Sequence, residues 1–179
     1  MNAYGVIVGP GTVRFERLLP GPIERVWSYL TDSEKRGTWL AKGNMDLRID
    51  GNVEFEFCNS QLTGHDETTP AKFAHVDTEK RMTGRVVACE PPRLLTYTWG
   101  ENFGENSEVT FELAPRGDKV LLTLTHRRLG TRDTMVMVGG GWHTHLDILA
   151  DRLEQRKPPA FWATYLEREA EYEKRVPTT

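Results

Sequence analysis

The sequence has little cysteine, no long apolar run and no excess of positive charge. Its 179 residues include two cysteines, Cys58 and Cys89, which form neither a C-x-x-C motif nor part of a four-ligand cluster, so a structural zinc site is not expected. No stretch approaches the roughly 20 apolar residues of a transmembrane helix. The net charge of -3 lacks the basic excess typical of nucleic-acid or anionic-membrane surfaces. We therefore expect no metal, no cofactor, and no nucleic-acid or membrane partner.

The motifs of several catalytic sites are also missing. No serine stands in a G-x-S-x-G context, and the glycines at 139–141 belong to neither a phosphate-binding loop nor a dinucleotide fingerprint. The chain has no basic residue before Arg14 and no long apolar segment at its start, unlike a secretory signal. We expect a cytoplasmic protein with reduced thiols, and a binding protein rather than an enzyme.

What the sequence does contain is the pattern of an α+β domain. Alternation of apolar and polar residues predicts strands at 12–18, 45–49, 52–57, 84–90, 94–99, 107–113 and 119–126. Helical spacing predicts helices at 22–30, 33–39, 142–155 and 160–176, the third of them entered through the flexible glycines at 139–141. No connection between the later strands is long enough for a helical crossover, so we expect an antiparallel sheet.

The predicted organisation is an N-terminal lead at 1–11, one domain at 12–157 and a helical extension at 158–179. Within the domain, residues 58–81 form a long polar loop without periodicity, for which a lid and a disordered segment are both open alternatives. As a lid, the loop would bring His65, Phe73 and His75 close to a ligand. The extension is rich in aromatic residues, so we expect it to pack on its own domain or on a second subunit in a homodimer.

Three segments carry a resemblance to a known family: PIERVWSYLTDSEKRGTWL at 22–40, EPPRLLTYTWGE at 90–101 and GWHTHLDILADRL at 141–153. With the strands between them, the chain resembles the SRPBCC superfamily over roughly residues 12–155. Within that superfamily it is similar to bacterial relatives of the activator of Hsp90 ATPase. The resemblance implies a START-like, helix-grip (Bet v 1-like) fold, in which a curved antiparallel sheet wraps around a long C-terminal helix, with two short helices after the first strand.

Three functions fit this fold. The first is binding of a small hydrophobic or aromatic ligand in a cavity between the sheet and the helix, which needs no catalysis. The second is a cyclase- or hydrolase-type enzyme that uses a cavity histidine. The third is an interaction with an Hsp90-type chaperone, which is weakened because the chain has no room for the separate N-terminal domain of the eukaryotic activators.

The candidate ligand-binding residues are those on the predicted inward faces. The candidates for general acid–base catalysis are His126 and His145. His143 and His145 are not expected to share a metal ion, because residues two apart on a helix point about 200° apart. The full set expected to line the cavity is Trp39, Phe55, Phe57, Tyr97, Trp99, Phe111, Leu122, Leu124, His126, Trp142, His145, Leu146 and Leu149.

Overall fold

A computed structural model describes residues 4–75, 80–100 and 103–178, in which one seven-stranded curved sheet packs against the longest helix. The strands are β1 (Val6–Gly9), β2 (Thr12–Pro20), β3 (Asn52–Phe57), β4 (Lys80–Glu90), β5 (Leu94–Thr98), β6 (Glu108–Arg116) and β7 (Lys119–Arg127). The helices are α1 (Ile23–Thr31), α2 (Ser33–Arg36), α3 (Arg132–Leu153) and α4 (Phe161–Arg175). The strand order is β1-β2-β7-β6-β5-β4-β3, with every pair antiparallel. This confirms the expected α+β helix-grip fold.

Alternation along the central strands builds the inner face of the sheet. In the β6–β7 pair, Phe111 stands opposite Leu124 and Leu113 opposite Leu122, and all four side chains are buried. Successive side chains of a strand point to opposite faces, so one register places a whole apolar set against α3. The turn joining these strands contains Gly117 in the left-handed region, at φ 64°.

Helix α3 begins ten residues before its predicted start. Thr131 caps it, since the Thr131 side chain accepts a hydrogen bond from the Thr134 backbone N–H at 3.1 Å. The three glycines therefore lie inside the helix, and the prediction that they form a flexible entry to it was wrong. Each glycine costs about 1 kcal/mol relative to alanine in a helix interior, so the sequence alone does not indicate a helix through all three.

The packing of α4 against α3 explains why two of these three positions have no side chain. A Cβ on Gly139 would lie 2.7 Å from the ring of Tyr172, and a Cβ on Gly140 would lie 3.1 Å from the backbone nitrogen of Glu169. Both contacts are closer than ordinary van der Waals distance. The absence of these two side chains lets α4 approach α3 closely. Gly141 differs, because a Cβ there would meet nothing within 4 Å.

Helix α4 packs on its own chain. Phe161, Trp162, Tyr165 and Tyr172 are all buried, and the Tyr172 hydroxyl accepts a hydrogen bond from the backbone N–H of Gly5 at 2.6 Å. The aromatic surface that suggested a homodimer is thus covered within one chain. The homodimer stays a prediction, but it loses that support.

The structure corrects the predicted strand at 45–49. Isolated bridges, Lys42 to Glu56 and Met45 to Val53, join residues 42–46 to β3 in place of a continuous strand, with backbone hydrogen bonds such as the one from the Asp46 N–H to the Asn52 carbonyl at 2.9 Å. The buried guanidinium of Arg36 instead donates hydrogen bonds to carbonyl oxygens on both sides, at Gly43 and at Glu54, each at 2.7 Å. A side chain therefore takes the place of part of the expected backbone ladder.

Other boundaries shift by smaller amounts. The predicted N-terminal lead contains strand β1, which pairs with β2, and the second helix is shorter than expected, ending at Arg36. The described part of the long loop holds two short 3-10 turns, Asn59–Gln61 and Ala71–Phe73, and β4 already begins at Lys80. Residues 76–79 of that loop lie outside the described residues. None of the described helices is long and apolar enough to cross a bilayer.

Candidate functional site

A pocket of about 130 Å³ lies where the sheet, α3, α4 and the long loop meet. Helix α3 provides Trp142 and Gly141, and α4 provides Phe161 and Trp162. The polar members of the wall are Asn59, Lys80 and His145. The remaining wall residues are Leu40, Phe57, Phe73, Met82, Trp99, Phe103, Met137, Val138 and Tyr165.

Contacts between rings hold this wall in place. The Trp99 and Trp142 ring centroids are 4.9 Å apart, which ties the end of the sheet to α3. On the other side, Phe73 stacks on Trp162 with centroids 5.1 Å apart, and Phe161 meets Trp162 edge to face at 5.0 Å. Such aromatic pairs contribute about 0.5–1.5 kcal/mol each beyond the area they bury. The pocket is therefore built from interlocked rings.

Only four of the thirteen residues that were expected to line the cavity do line the pocket. Phe57, Trp99, Trp142 and His145 do so. The others pack in the core away from it, and these are Trp39, Phe55, Tyr97, Phe111, Leu122, Leu124, His126, Leu146 and Leu149. The pocket thus lies at one end of the interface between sheet and helix.

Packing between residues that are distant in the sequence explains why most of the expected residues do not line the pocket. Side chains at the centre of the sheet pack against the α3 stripe, where Leu122, Leu146 and Leu149 are fully buried. The aromatic pocket lies further along, where α3 passes the end of β3 and the turn after β5. The sequence did not indicate that the α4 aromatic residues close this end, although their unusual concentration was the available signal.

His126 belongs to the core. Its Nδ1 atom accepts a hydrogen bond from Trp142 Nε1 at 2.9 Å, which places the ring proton on Nε2, and Nε2 then donates to Ser107 Oγ at 2.7 Å. Burial lowers the pKa of His126 to about 3. Both ring nitrogens are thus engaged within the protein, and the expectation that His126 faces a ligand is not met. Its contact with Trp142 fixes one wall of the pocket.

His145 is the histidine that reaches the pocket. Its Nδ1 lies 2.7 Å from the backbone oxygen of Trp39, and since a carbonyl can only accept, Nδ1 carries the proton. Within the described part of the chain, Nε2 has no hydrogen-bond partner. Burial lowers the pKa of His145 to about 4, against the smaller opposing effect of the bond to Trp39. The ring is therefore neutral at pH 7 and offers Nε2 as an acceptor.

His143 lies on a different side of α3. Its Nδ1 is 3.1 Å from the Tyr172 hydroxyl and its Nε2 is 3.4 Å from Asp147 Oδ2. His143 and His145 therefore contact different surroundings, as their helical spacing predicts. Among residues 4–75, 80–100 and 103–178, no group of three or more His, Cys, Asp or Glu side chains could hold a metal ion.

Comparison with known proteins identifies the family. The family model described as "Activator of Hsp90 ATPase homolog 1-like protein" matches residues 20–154. The chain belongs to this family. No curated protein matches the chain.

Solved structures of relatives agree with this assignment. A protein encoded by gene BPP1335 of Bordetella parapertussis is 44% identical, with a TM-score of 0.84 over 99% of this chain and 92% of that one. CalU16 from Micromonospora echinospora is 25% identical, with a TM-score of 0.70 over 98% of this chain and 96% of that one. EF2215 from Enterococcus faecalis, a conserved protein of unknown function, shares only the fold, at 16% identity and a TM-score of 0.67, over 96% of this chain and 88% of that one.

The segment that matches the family model does not include the whole pocket. Phe161, Trp162 and Tyr165 follow residue 154 and form the wall opposite Trp99 and Trp142. In this family member, the helix beyond the matched segment therefore closes the pocket.

The long loop is fastened to α4. The Glu67 carboxylate accepts hydrogen bonds from the backbone N–H groups of Trp162 and Ala163, at 2.9 and 3.2 Å, and so caps a helix whose own N-cap residue gives no side-chain bond. The Nε2 atom of His65 lies at hydrogen-bond distance, 2.9 Å, from the backbone carbonyl oxygen of Pro158. Of the three residues expected to approach a ligand, only Phe73 lines the pocket. These bonds hold the described part of the loop over the pocket.

A wider groove of about 770 Å³ adjoins the pocket and shares Leu40 and Phe57 with it. The groove has a more polar wall, which includes Lys42, Glu56 and Arg81. Because the two spaces have Leu40 and Phe57 in common, these side chains stand between the groove and the aromatic pocket.

Proposed function

We propose that this protein binds one small apolar or aromatic molecule in the pocket between the end of the sheet, α3 and α4. The observation that carries the proposal is the aromatic wall, with only Asn59, Lys80 and His145 as polar members. A concave, mostly apolar space with a few convergent polar groups is the usual form of a small-molecule site. The fold and family are in keeping with a ligand-binding type of domain.

The volume limits the size of the ligand. An engineered apolar cavity of about 150 Å³ in another protein holds one benzene molecule, so about 130 Å³ suits a single ring. A ring the size of a phenylalanine side chain buries about 150–200 Å², which at about 25 cal/mol per Å² stabilises the complex by about 4–5 kcal/mol before association costs. Because association costs reduce this gain, we expect dissociation constants no tighter than about the millimolar range for a plain hydrocarbon.

A catalytic role is the alternative that His145 supports, because its Nε2 faces no protein partner within the described residues. General acid–base catalysis also needs a second group in reach of the reacting atoms, and the other polar wall residues are an amide and an ammonium. Binding without catalysis is therefore the preferred proposal. A cytoplasmic setting belongs to it and is supported by the free thiols of Cys58 and Cys89. A contact with an Hsp90-type chaperone has only the family name in its favour.

Gly141 provides the test. It lines the pocket, and a Cβ there would meet nothing within 4 Å, so Gly141→Leu adds four carbon atoms beside the pocket without a clash at the Cβ. The matched control is Ala170→Leu, which adds a leucine on the exposed face of α4. Toluene is titrated into wild type and both variants, and the signals of the tryptophan indole N–H groups are followed by NMR.

We expect saturable shifts of the Trp99 and Trp142 signals in wild type and in Ala170→Leu, and loss of these shifts in Gly141→Leu. Equal binding to Gly141→Leu, or no binding of toluene to wild type, would contradict the proposal. If toluene does not bind to wild type, the protein is added to a bacterial Hsp90 homologue, and a change in the ATP turnover of that homologue would favour the chaperone alternative.

A further inference from the structure

We propose that the preferred ligand is a monocyclic phenol, an aromatic ring whose hydroxyl donates a hydrogen bond to His145 Nε2. This inference depends on the proposed function and adds the chemical class of the ligand. It follows from the polar atoms that the wall leaves without partners.

The first of these atoms is His145 Nε2. The bond from Nδ1 to the Trp39 carbonyl fixes both the tautomer and the orientation of the ring, and Phe161 packs against it with centroids 5.1 Å apart. The ring cannot turn to present a donor without breaking a 2.7 Å bond to a buried carbonyl. The pocket therefore meets its ligand with a fixed acceptor at this point.

The second atom is Asn59 Oδ1. It is buried and has no hydrogen-bond partner among the residues that the structure describes, and Asn59 belongs to the same wall. A buried acceptor without a partner is unfavourable, so such an atom favours a ligand that brings a donor. The two unsatisfied acceptors point to the same ligand chemistry.

Two other hydrogen-bonding groups of the wall are already occupied. Trp142 Nε1 donates to His126, and the Tyr165 hydroxyl donates to Glu169 at 3.2 Å. Lys80 is the charged member of the wall and would favour an anion such as a carboxylate. A neutral aromatic donor and an aromatic carboxylate are thus chemically opposed ligands, and the two acceptors favour the donor.

Four one-ring probes separate these cases: phenol with a donor, anisole with an acceptor only, toluene with neither, and benzoate with a charge. Each is titrated by NMR into wild type, His145→Asn and His75→Asn. In His145→Asn the side-chain amide nitrogen stands near the position of Nδ1, so the donation to Trp39 is retained while the Nε2 acceptor is lost. His75→Asn is the matched control, since His75 is exposed and does not line the pocket.

We expect wild type to bind phenol at least about fivefold more tightly than anisole, the effect of one hydrogen bond. His145→Asn should lose about fivefold in affinity for phenol and keep its affinity for toluene, and His75→Asn should match wild type. Anisole or benzoate binding as tightly as phenol to wild type would overturn the inference, and so would unchanged phenol affinity in His145→Asn. Binding of toluene in those cases would leave the proposed function standing, whereas failure of all four probes would remove both.

Discussion

Replacing Gly139 and Gly141 separately with alanine should change the stability of the protein in opposite directions. In a helix interior, alanine is favoured over glycine by about 0.8–1.0 kcal/mol, so each replacement brings the same gain in helix propensity. The two sites differ in the space available. A Cβ at 141 meets nothing within 4 Å, whereas a Cβ at 139 lies 2.7 Å from the Tyr172 ring.

Tyr172 has little freedom to move away. Its side chain is fully buried, and its hydroxyl is bonded to Gly5 and lies 3.1 Å from His143 Nδ1. Forcing an extra carbon into such packing costs about 1–3 kcal/mol. The net expectation is a gain of about 0.8–1.0 kcal/mol for Gly141→Ala and a loss of about 1 kcal/mol for Gly139→Ala.

The free energy of unfolding is measured by urea denaturation, followed by far-UV circular dichroism. In a domain of this size, 1 kcal/mol corresponds to about 2–4 °C in Tm, so thermal melts should show Gly141→Ala above wild type and Gly139→Ala below it. Stabilisation by both substitutions would refute the close contact of α4 at Gly139. Destabilisation by Gly141→Ala would refute the open space at the pocket.

Two further predictions concern the buried histidines. Ser107→Ala should lower the free energy of unfolding by about 1–3 kcal/mol, because the buried Nε2–H of His126 loses its acceptor, and unchanged urea denaturation would contradict that bond. Burial depresses the pKa of His126 to about 3 and of His145 to about 4 in the folded state, so below about pH 6.5 the unfolded chain binds the protons first and stability falls as the pH falls. Urea denaturation between pH 7 and pH 5 should show a shallower fall for His145→Asn than for wild type, by up to about 1.4 kcal/mol per pH unit, and equal slopes would argue against a neutral His145.

The sequence predicted most elements whose signals are local. Strands β6 and β7 follow from strict alternation, and helix α1 follows from Pro22 and its apolar spacing. The start of α3 was missed because glycine disfavours helices, and the contact that reverses this preference comes from Tyr172, more than thirty residues later. Beside the predicted strand at 45–49, the Arg36 side chain takes the Glu54 carbonyl of β3 that a backbone N–H would otherwise bond, and isolated bridges replace a continuous ladder. Local preference gave way in both places to distant packing.

The candidate site was predictable only in part for a related reason. Alternation correctly indicated Phe57 and Trp99, and helical spacing Trp142, as buried or half-buried rings, but neither pattern can tell which rings border a space. Whether a ring borders a space depends on how completely the side chains of α3 fill the gap between the helix and the sheet. Leu146 and Leu149 fill it at the centre of the sheet, and the smaller Gly141 leaves it open at the end.

The helix that completes the pocket also bears on how the family should be compared. The segment matched by the family model ends at residue 154, yet Phe161 and Trp162 form one wall and Glu67 fastens the loop to the same helix. A relative can therefore share the sheet and α3 while presenting a different wall at this end. The Bordetella protein, whose similarity extends over 99% of this chain, is suited to testing the proposed phenol site. Ligand preference in this family is thus expected to follow the helix after the matched segment more closely than the segment itself.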